Sequence, residues 1–145
     1  MKSEKKPLSD AHRQDLIARA TEARSRAHAP YSGFKVGAAI LTSSDHIYSG
    51  CNIENASYGL SLCAERVALV KALSEGERDF QAITVITSDA KLTSPCGPCR
   101  QLIWEFCGDI EVVLANLDGD EAHYTMSELF PRPFDDFEPD PKSQA

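Results

Sequence analysis

Apolar positions along this chain change period several times, and each change marks an element. A polar, lysine-rich lead over residues 1–7 ends at Pro7, and Ser9 stands as an N-cap. Leu16, Ile17, Ala20, Ala23 and Ala27 then recur at helical spacing until Pro30 stops the run. PYSGF (30–34) is a turn, after which 34–42 and 46–54 read as two strands joined by the short SSD connection into a hairpin. Gly37, Ala38 and Ala39 leave the first strand thin, the signature of close approach by a ligand or another backbone. After a polar loop at 55–59, a helix is predicted over about 61–74, ending near Gly76, with Val67, Leu69, Val70 and Leu73 as its apolar content. Residues 81–88 are β-branched and apolar enough for a central strand, and SPCGPCRQLIWEFCG opens a further helix that closes at Gly108. A strand at 110–116, the turn LDGD, a short strand near 121–125 and a helical turn before Pro131 complete the chain.

Helices that alternate with strands in the second half imply crossovers and a partly parallel sheet covered on both faces. The expected fold is α/β: a three-layer α/β/α sandwich with a mixed five-stranded sheet. The 145 residues are expected to form one domain, with its core over about 9–134 and mobile ends at the N-terminal lead and the acidic, proline-bearing C-terminal tail. A hydrophobic fraction of 42% with 26% charged residues suits such a core. The net charge of −7 gives no broad positive field for a phosphate backbone, so no nucleic-acid partner is expected. With no long apolar run and no apolar block behind MKSEKKPLSD, neither a membrane partner nor secretion is expected, and the localisation reads as cytoplasmic. Five cysteines in a reducing compartment point to metal binding or catalysis before disulfides.

Two clusters carry that chemistry, CAER at 63–66 and PCGPCRQ at 95–101, each where a helix begins. Cys96 and Cys99, at i and i+3, can aim both sulfurs at one ion, and a helix start favours the thiolate. Cys63 would supply a third sulfur for Zn²⁺, one ion per chain, leaving the fourth position to water. Glu65 is the candidate proton carrier; it can share a pocket with Cys63 only if the helix starts at this point, because i and i+2 otherwise diverge. A CxxC pair alone equally suits a structural zinc module or a redox pair, but a redox pair leaves Cys63 unexplained. Cys107 lies eight residues beyond Cys99, roughly 12 Å along a helix, too far to share the ion. Cys51 stays open as a fourth ligand, with a small apolar residue on a buried strand face as the favoured reading.

CAE followed by PCxxC is the three-cysteine signature of zinc deaminases. FKVGAAI, GCNIENASYG, CAERVAL, SPCGPCRQ and ELFPRPF, in order along about 30–134, resemble the small cytidine deaminases that act on free nucleosides. The resemblance implies hydrolytic deamination of cytidine and deoxycytidine to uridine and deoxyuridine with release of ammonia, in pyrimidine salvage. It implies Glu65 as catalytic residue and Cys63, Cys96 and Cys99 as zinc ligands. It places Asn52 and Glu54 on the ribose 3′-hydroxyl, Phe34 against the pyrimidine ring, and backbone groups near Ala64 on the base. Ala56 and Tyr58 match the loop where neighbouring subunits complete each other's sites, Phe134 matches a residue of a subunit-shared pocket, and the assembly is expected to be a homotetramer.

Strand alternation independently puts Asn52 and Glu54 on one face, an amide and a carboxylate that together can hold a hydroxyl. Three thiolates around Zn²⁺ sum to −1, and the resemblance places Arg66 behind them, its planar fork able to donate to two sulfurs. The four histidines lack ligand spacing, Trp104 reads as core, and Asp118-Gly119-Asp120 is turn chemistry. Pro98 between the two cysteines and Asp45-His46 in place of an Asp-Gly turn depart from the family pattern. Two alternatives stand beside this reading: the nucleoside antibiotic deaminases, which share the zinc motifs but diverge around the NIENASYG loop, and a non-catalytic zinc module, which needs a fourth protein ligand.

Overall fold

The computed structural model describes residues 5–138. Ser9 caps α1 (Asp10–Arg24), its hydroxyl accepting the His12 N–H. The helix stops before Ala27 because the chain tightens there, Arg26 and Ala27 donating to Ala23 and Arg24, three residues back. β1 (Gly37–Thr42) and β2 (Ile47–Cys51) form the expected antiparallel hairpin, turned through Asp45 at φ 65°, a left-handed conformation that Asp tolerates better than most residues. Next come α2 (Ala64–Ser74), β3 (Phe80–Thr87), α3 (Gly97–Cys107), β4 (Glu111–Asn116), β5 (Glu121–Thr125) and the short α4 (Met126–Leu129).

The strands form one mixed sheet in the order β2-β1-β3-β4-β5, with β3 and β4 parallel and every other pair antiparallel. All residues of β1 and β3 are buried, as strands covered on both faces must be. One face packs Ala39, Leu41, Ala82, Ile86 and Ala115 against Leu16 and Ala20 of α1. The other packs Ala38, Ile40, Ile83, Val85, Val112 and Leu114 against α2 and α3. Between these layers the thin positions serve backbone approach. A Cβ on Gly37 would lie 2.0 Å from the Ala20 carbonyl oxygen, and one on Gly50 only 2.6 Å from the Ala68 nitrogen.

Near the site, two boundaries and the burial of one side chain differ from the sequence reading. β2 ends at Cys51 rather than 54, because beyond it the chain pairs with His28, whose N–H donates to the Asn52 carbonyl and whose carbonyl accepts from the Glu54 N–H. The second helix begins at Ala64 rather than 61, because Leu62 and Ile53 exchange two backbone hydrogen bonds and hold the chain extended up to Cys63. Val70 lies on the open side of α2, 43% exposed, while Ala68, Leu69 and Ala72 fill the core.

Trp104 is half-buried, its indole N–H donating to Asp135. Gln101 takes and gives a hydrogen bond with the Phe134 backbone, so the start of the tail is tied to α3. Of the ends expected to be mobile, outside about 9–134, residues 1–4 and 139–145 lie outside the described residues. His12, His46 and His123 pair with Asp45, Glu77 and Glu121 away from the cysteine cluster. No helix among the described residues is long and apolar enough to cross a membrane.

Candidate active site

The two cysteine motifs meet because two helices begin side by side at one end of the sheet. Cys63 is the N-cap of α2 and Cys96 the N-cap of α3, both with extended backbone, and neither side chain bonds its own helix. Their sulfurs are therefore free to face each other, at 3.8 Å. Cys99, in the first turn of α3, is fully buried beneath them, and the three Sγ atoms lie within 4.8 Å of one another. A tetrahedral zinc with bonds of about 2.3 Å sets its sulfurs about 3.8 Å apart, so this cluster fits the ion. Among the described residues no fourth ligating group joins it. Cys51 is not part of the group, and Cys107 is a buried thiol pushed up to about 12 by desolvation. Three protein ligands and one open position follow.

The helix starts also decide Glu65. With Cys63 outside the helix, Glu65 turns inward, 5% exposed, and lines the same cavity as Cys63 and Cys96. Burial raises its carboxyl above the usual range and the neighbouring Cys63 adds to this, while its own backbone N–H, the Cys99 thiol and Arg66 pull the other way. Within the cysteines, hydrogen bonds from Cys99 and Cys96 and the charge of Arg66 draw Cys63 down to about 6 against its burial, while Cys99, beside that developing thiolate and desolvated, rises. Metal binding needs these thiols deprotonated, so a bound cation would take the place of their protons. Arg66 acts here through its field: among the described residues its fork makes no hydrogen bond to a sulfur. Pro98, in the first two positions of α3, costs no helix hydrogen bond there.

A cavity of about 270 Å³ opens over the cluster. Phe34, Asn52 and Glu54 line it, as the sequence predicts, although Asn52 and Glu54 sit just past the strand and not within it. Asn52 accepts from the Val36 N–H at 2.9 Å and donates to the Phe34 carbonyl at 2.7 Å, a side-chain bridge that fixes the aromatic wall. Glu54 accepts from the N–H groups of Tyr31 and Ser32 and from the Ser32 hydroxyl. The Ser32 hydroxyl and N–H hold its carboxyl below the usual range despite desolvation. Val36, Ser61, Leu62, Val85, Thr93 and Ser94 complete the lining. Sequence reading missed these; adjacency to Cys63 and Cys96 was the available signal for four of them.

Not every candidate reaches the cavity. Ala64 is buried and Ala56 exposed, and neither lines it. Tyr58, 75% exposed, meets Tyr31 edge-on at 6.2 Å between ring centroids. Phe134 is 70% exposed and lines no part of its own chain's cavity.

Residues 10–116 match the family model of the cytidine and deoxycytidylate deaminase zinc-binding region. The chain is 52% identical over 123 residues to a cytidine deaminase of Halalkalibacterium halodurans, covering 84% of this chain and 93% of that one. Against a cytidine deaminase of Sporosarcina psychrophila it is 48% identical over 122 residues, covering 83% and 90%. The crystal structure of cytidine deaminase from Burkholderia pseudomallei superposes with a TM-score of 0.81 at 45% identity, over 88% of this chain and all of that one.

Proposed function

We infer the reaction from the premise that this chain belongs to the cytidine and deoxycytidylate deaminase family: it is a zinc-dependent enzyme that hydrolyses cytidine and deoxycytidine to uridine and deoxyuridine, releasing ammonia. The observation that carries the reading is the three-sulfur cluster with one open position beside a buried carboxyl.

Cys63, Cys96 and Cys99 hold the ion. Bound zinc supplies the Lewis acidity that makes water a nucleophile near neutral pH. Glu65 takes one proton of the attacking water and delivers it to ring N3 as the bond to C4 forms, then takes the second proton from the oxygen now on C4 and passes it to the amine, which leaves as ammonia as the C4 carbonyl forms. Its raised pKa suits a group that must carry a proton as well as accept one. Phe34 packs on the pyrimidine while Asn52 and Glu54 take the ribose 3′-hydroxyl; the base meets the backbone at Ala64, and the Arg66 charge offsets the thiolates. A lone pair and an N–H of the Asn52 amide remain for substrate beyond its two backbone bonds.

The assembly we propose is a homotetramer in which Ala56, Tyr58 and Phe134 border neighbouring sites. The exposure of two aromatic rings that serve no pocket of their own chain supports this. One domain over about 9–134, a cytoplasmic location and a place in pyrimidine salvage complete the reading, and the five free thiols suit a reducing compartment. An antibiotic deaminase is disfavoured by the NIENASYG loop at 52–59. A closed structural zinc site is disfavoured by the lack of a fourth ligand among the described residues.

Zinc stoichiometry measured together with ultraviolet assays over a nucleoside panel tests the proposal. We expect one zinc per chain, turnover of cytidine and deoxycytidine, and poor turnover of cytidine monophosphate and single-stranded DNA, since Glu54 and the chain's net negative charge oppose added phosphate. Comparable kcat/KM for cytidine and its monophosphate would overturn the substrate class. Zinc retained by Cys63→Ser but lost from Cys51→Ser or Cys107→Ser would overturn the ligand set.

A further inference from the structure

The lining of the cavity includes Thr93, Ser94 and Cys96, contributed by the segment between β3 and α3. A loop is a poor platform for a metal ligand unless something fixes it. Of the three cysteines Cys96 is the exposed one, so packing does little to hold it. Four residues further on, Arg100 is half-buried and touches neither the cavity nor the cysteine cluster.

All three nitrogens of its guanidinium donate. Nε donates to the Pro95 carbonyl at 2.7 Å, Nη2 to the Ser94 hydroxyl at 2.6 Å and Nη1 to the Leu129 carbonyl at the end of α4. Its backbone N–H donates to the Cys96 carbonyl at 3.0 Å, the first hydrogen bond of α3. The side chain thus holds positions 94 and 95, which lead directly into the Cys96 N-cap, and anchors them to a distant part of the chain. Among the described residues Arg100 makes no ion pair, so its charge is spent on this clamp. The acceptors diverge in direction, which a rigid planar fork can serve and a lysine ammonium on a flexible stem cannot.

We propose that Arg100 is a positioning residue for the zinc and nucleoside sites: it fixes Ser94 on the cavity wall and Cys96 at the metal, and it makes that geometry depend on the docked α4. The proposal rests on the zinc deaminase reading for the identity of ion and substrate. The clamp itself predicts two losses with different origins. Freeing Pro95, the residue before Cys96, speeds loss of the ion, and freeing Ser94 loosens the wall that meets the nucleoside.

The test compares the zinc-loaded parent with Arg100→Ala, Arg100→Lys and Ser94→Ala, with Arg26→Ala, which breaks an exposed ion pair with Glu22, as the control. Zinc release to a chelating dye is measured first, because it needs no substrate and remains readable if cytidine is not turned over. We expect release about 10- to 100-fold faster in Arg100→Ala, the usual size of losing a group that orients metal ligands. Arg100→Lys should restore little of this, and amide hydrogen exchange should rise together in 93–97 and 129–130. With cytidine, KM should rise more than kcat falls. Ser94→Ala, which removes only one arm, should raise KM about threefold or more while releasing zinc at the parent rate. If Arg100→Ala fails to fold, that KM effect decides alone. Parent-like zinc release in a folded Arg100→Ala, full rescue by lysine, or a lowered urea midpoint with unchanged release and KM would reduce Arg100 to an ordinary structural residue and overturn the proposal.

Discussion

Replacing Glu65 by Gln isolates proton transfer from every other property of the site. The amide keeps the shape of the carboxyl, and Glu65 is not one of the three ligating residues, so zinc content and fold should be unchanged. Two observations set the magnitude. Among the described residues Glu54 is the only other carboxylate lining the cavity, and it is already engaged by Ser32 and Tyr31, so no neighbouring side chain there can take over the proton. In the proposed mechanism Glu65 also acts twice, toward ring N3 and toward the leaving amine. If each transfer contributes about 10²-fold, the loss in kcat is on the order of 10⁴, or roughly 5.5 kcal/mol of transition-state stabilisation. The assay is the loss of cytidine absorbance at saturating substrate, with zinc measured on the same sample. Activity within tenfold of the parent would refute the role. A loss that tracks missing zinc would show that Glu65 supports the metal and not the proton.

Acid should expose the second carboxylate. Hydrogen bonds from Ser32 hold the Glu54 carboxyl below its ordinary 4.5, so its stabilising contribution is complete above that value and is lost as pH falls through the lowered one. Urea midpoints followed downward from pH 5 should therefore fall less steeply for Glu54→Gln than for the parent, and equal slopes would contradict this. In the layer between α1 and the sheet, Thr84 is fully buried and its hydroxyl has no partner among the described residues, so Thr84→Val should raise stability by about 1 kcal/mol with activity unchanged; a lower urea midpoint would show that the hydroxyl is satisfied.

The sequence by itself determined the order of elements, the layers and the chemistry of the metal. Helical and two-residue periods survive in any packing that buries them, and the three cysteines with Glu65 sit in short motifs whose geometry is local once a helix starts there. Even so, local spacing could not say where that start falls. It is set by the Leu62–Ile53 bridge, a contact with the end of another strand, and that contact is what turns Glu65 inward beside Cys63. Likewise the thin stretch at Gly37 advertised close approach, but only the packed layers identify the visitor as the α1 backbone and not a ligand. Cys51 remained a possible fourth ligand until the fold set it apart from the cluster. Arg66 and Arg100 each follow a cysteine motif and look alike in sequence. Long-range hydrogen bonds to Ser94, Pro95 and Leu129 distinguish them, because where a long side chain spends its donors depends on what the rest of the chain brings within reach.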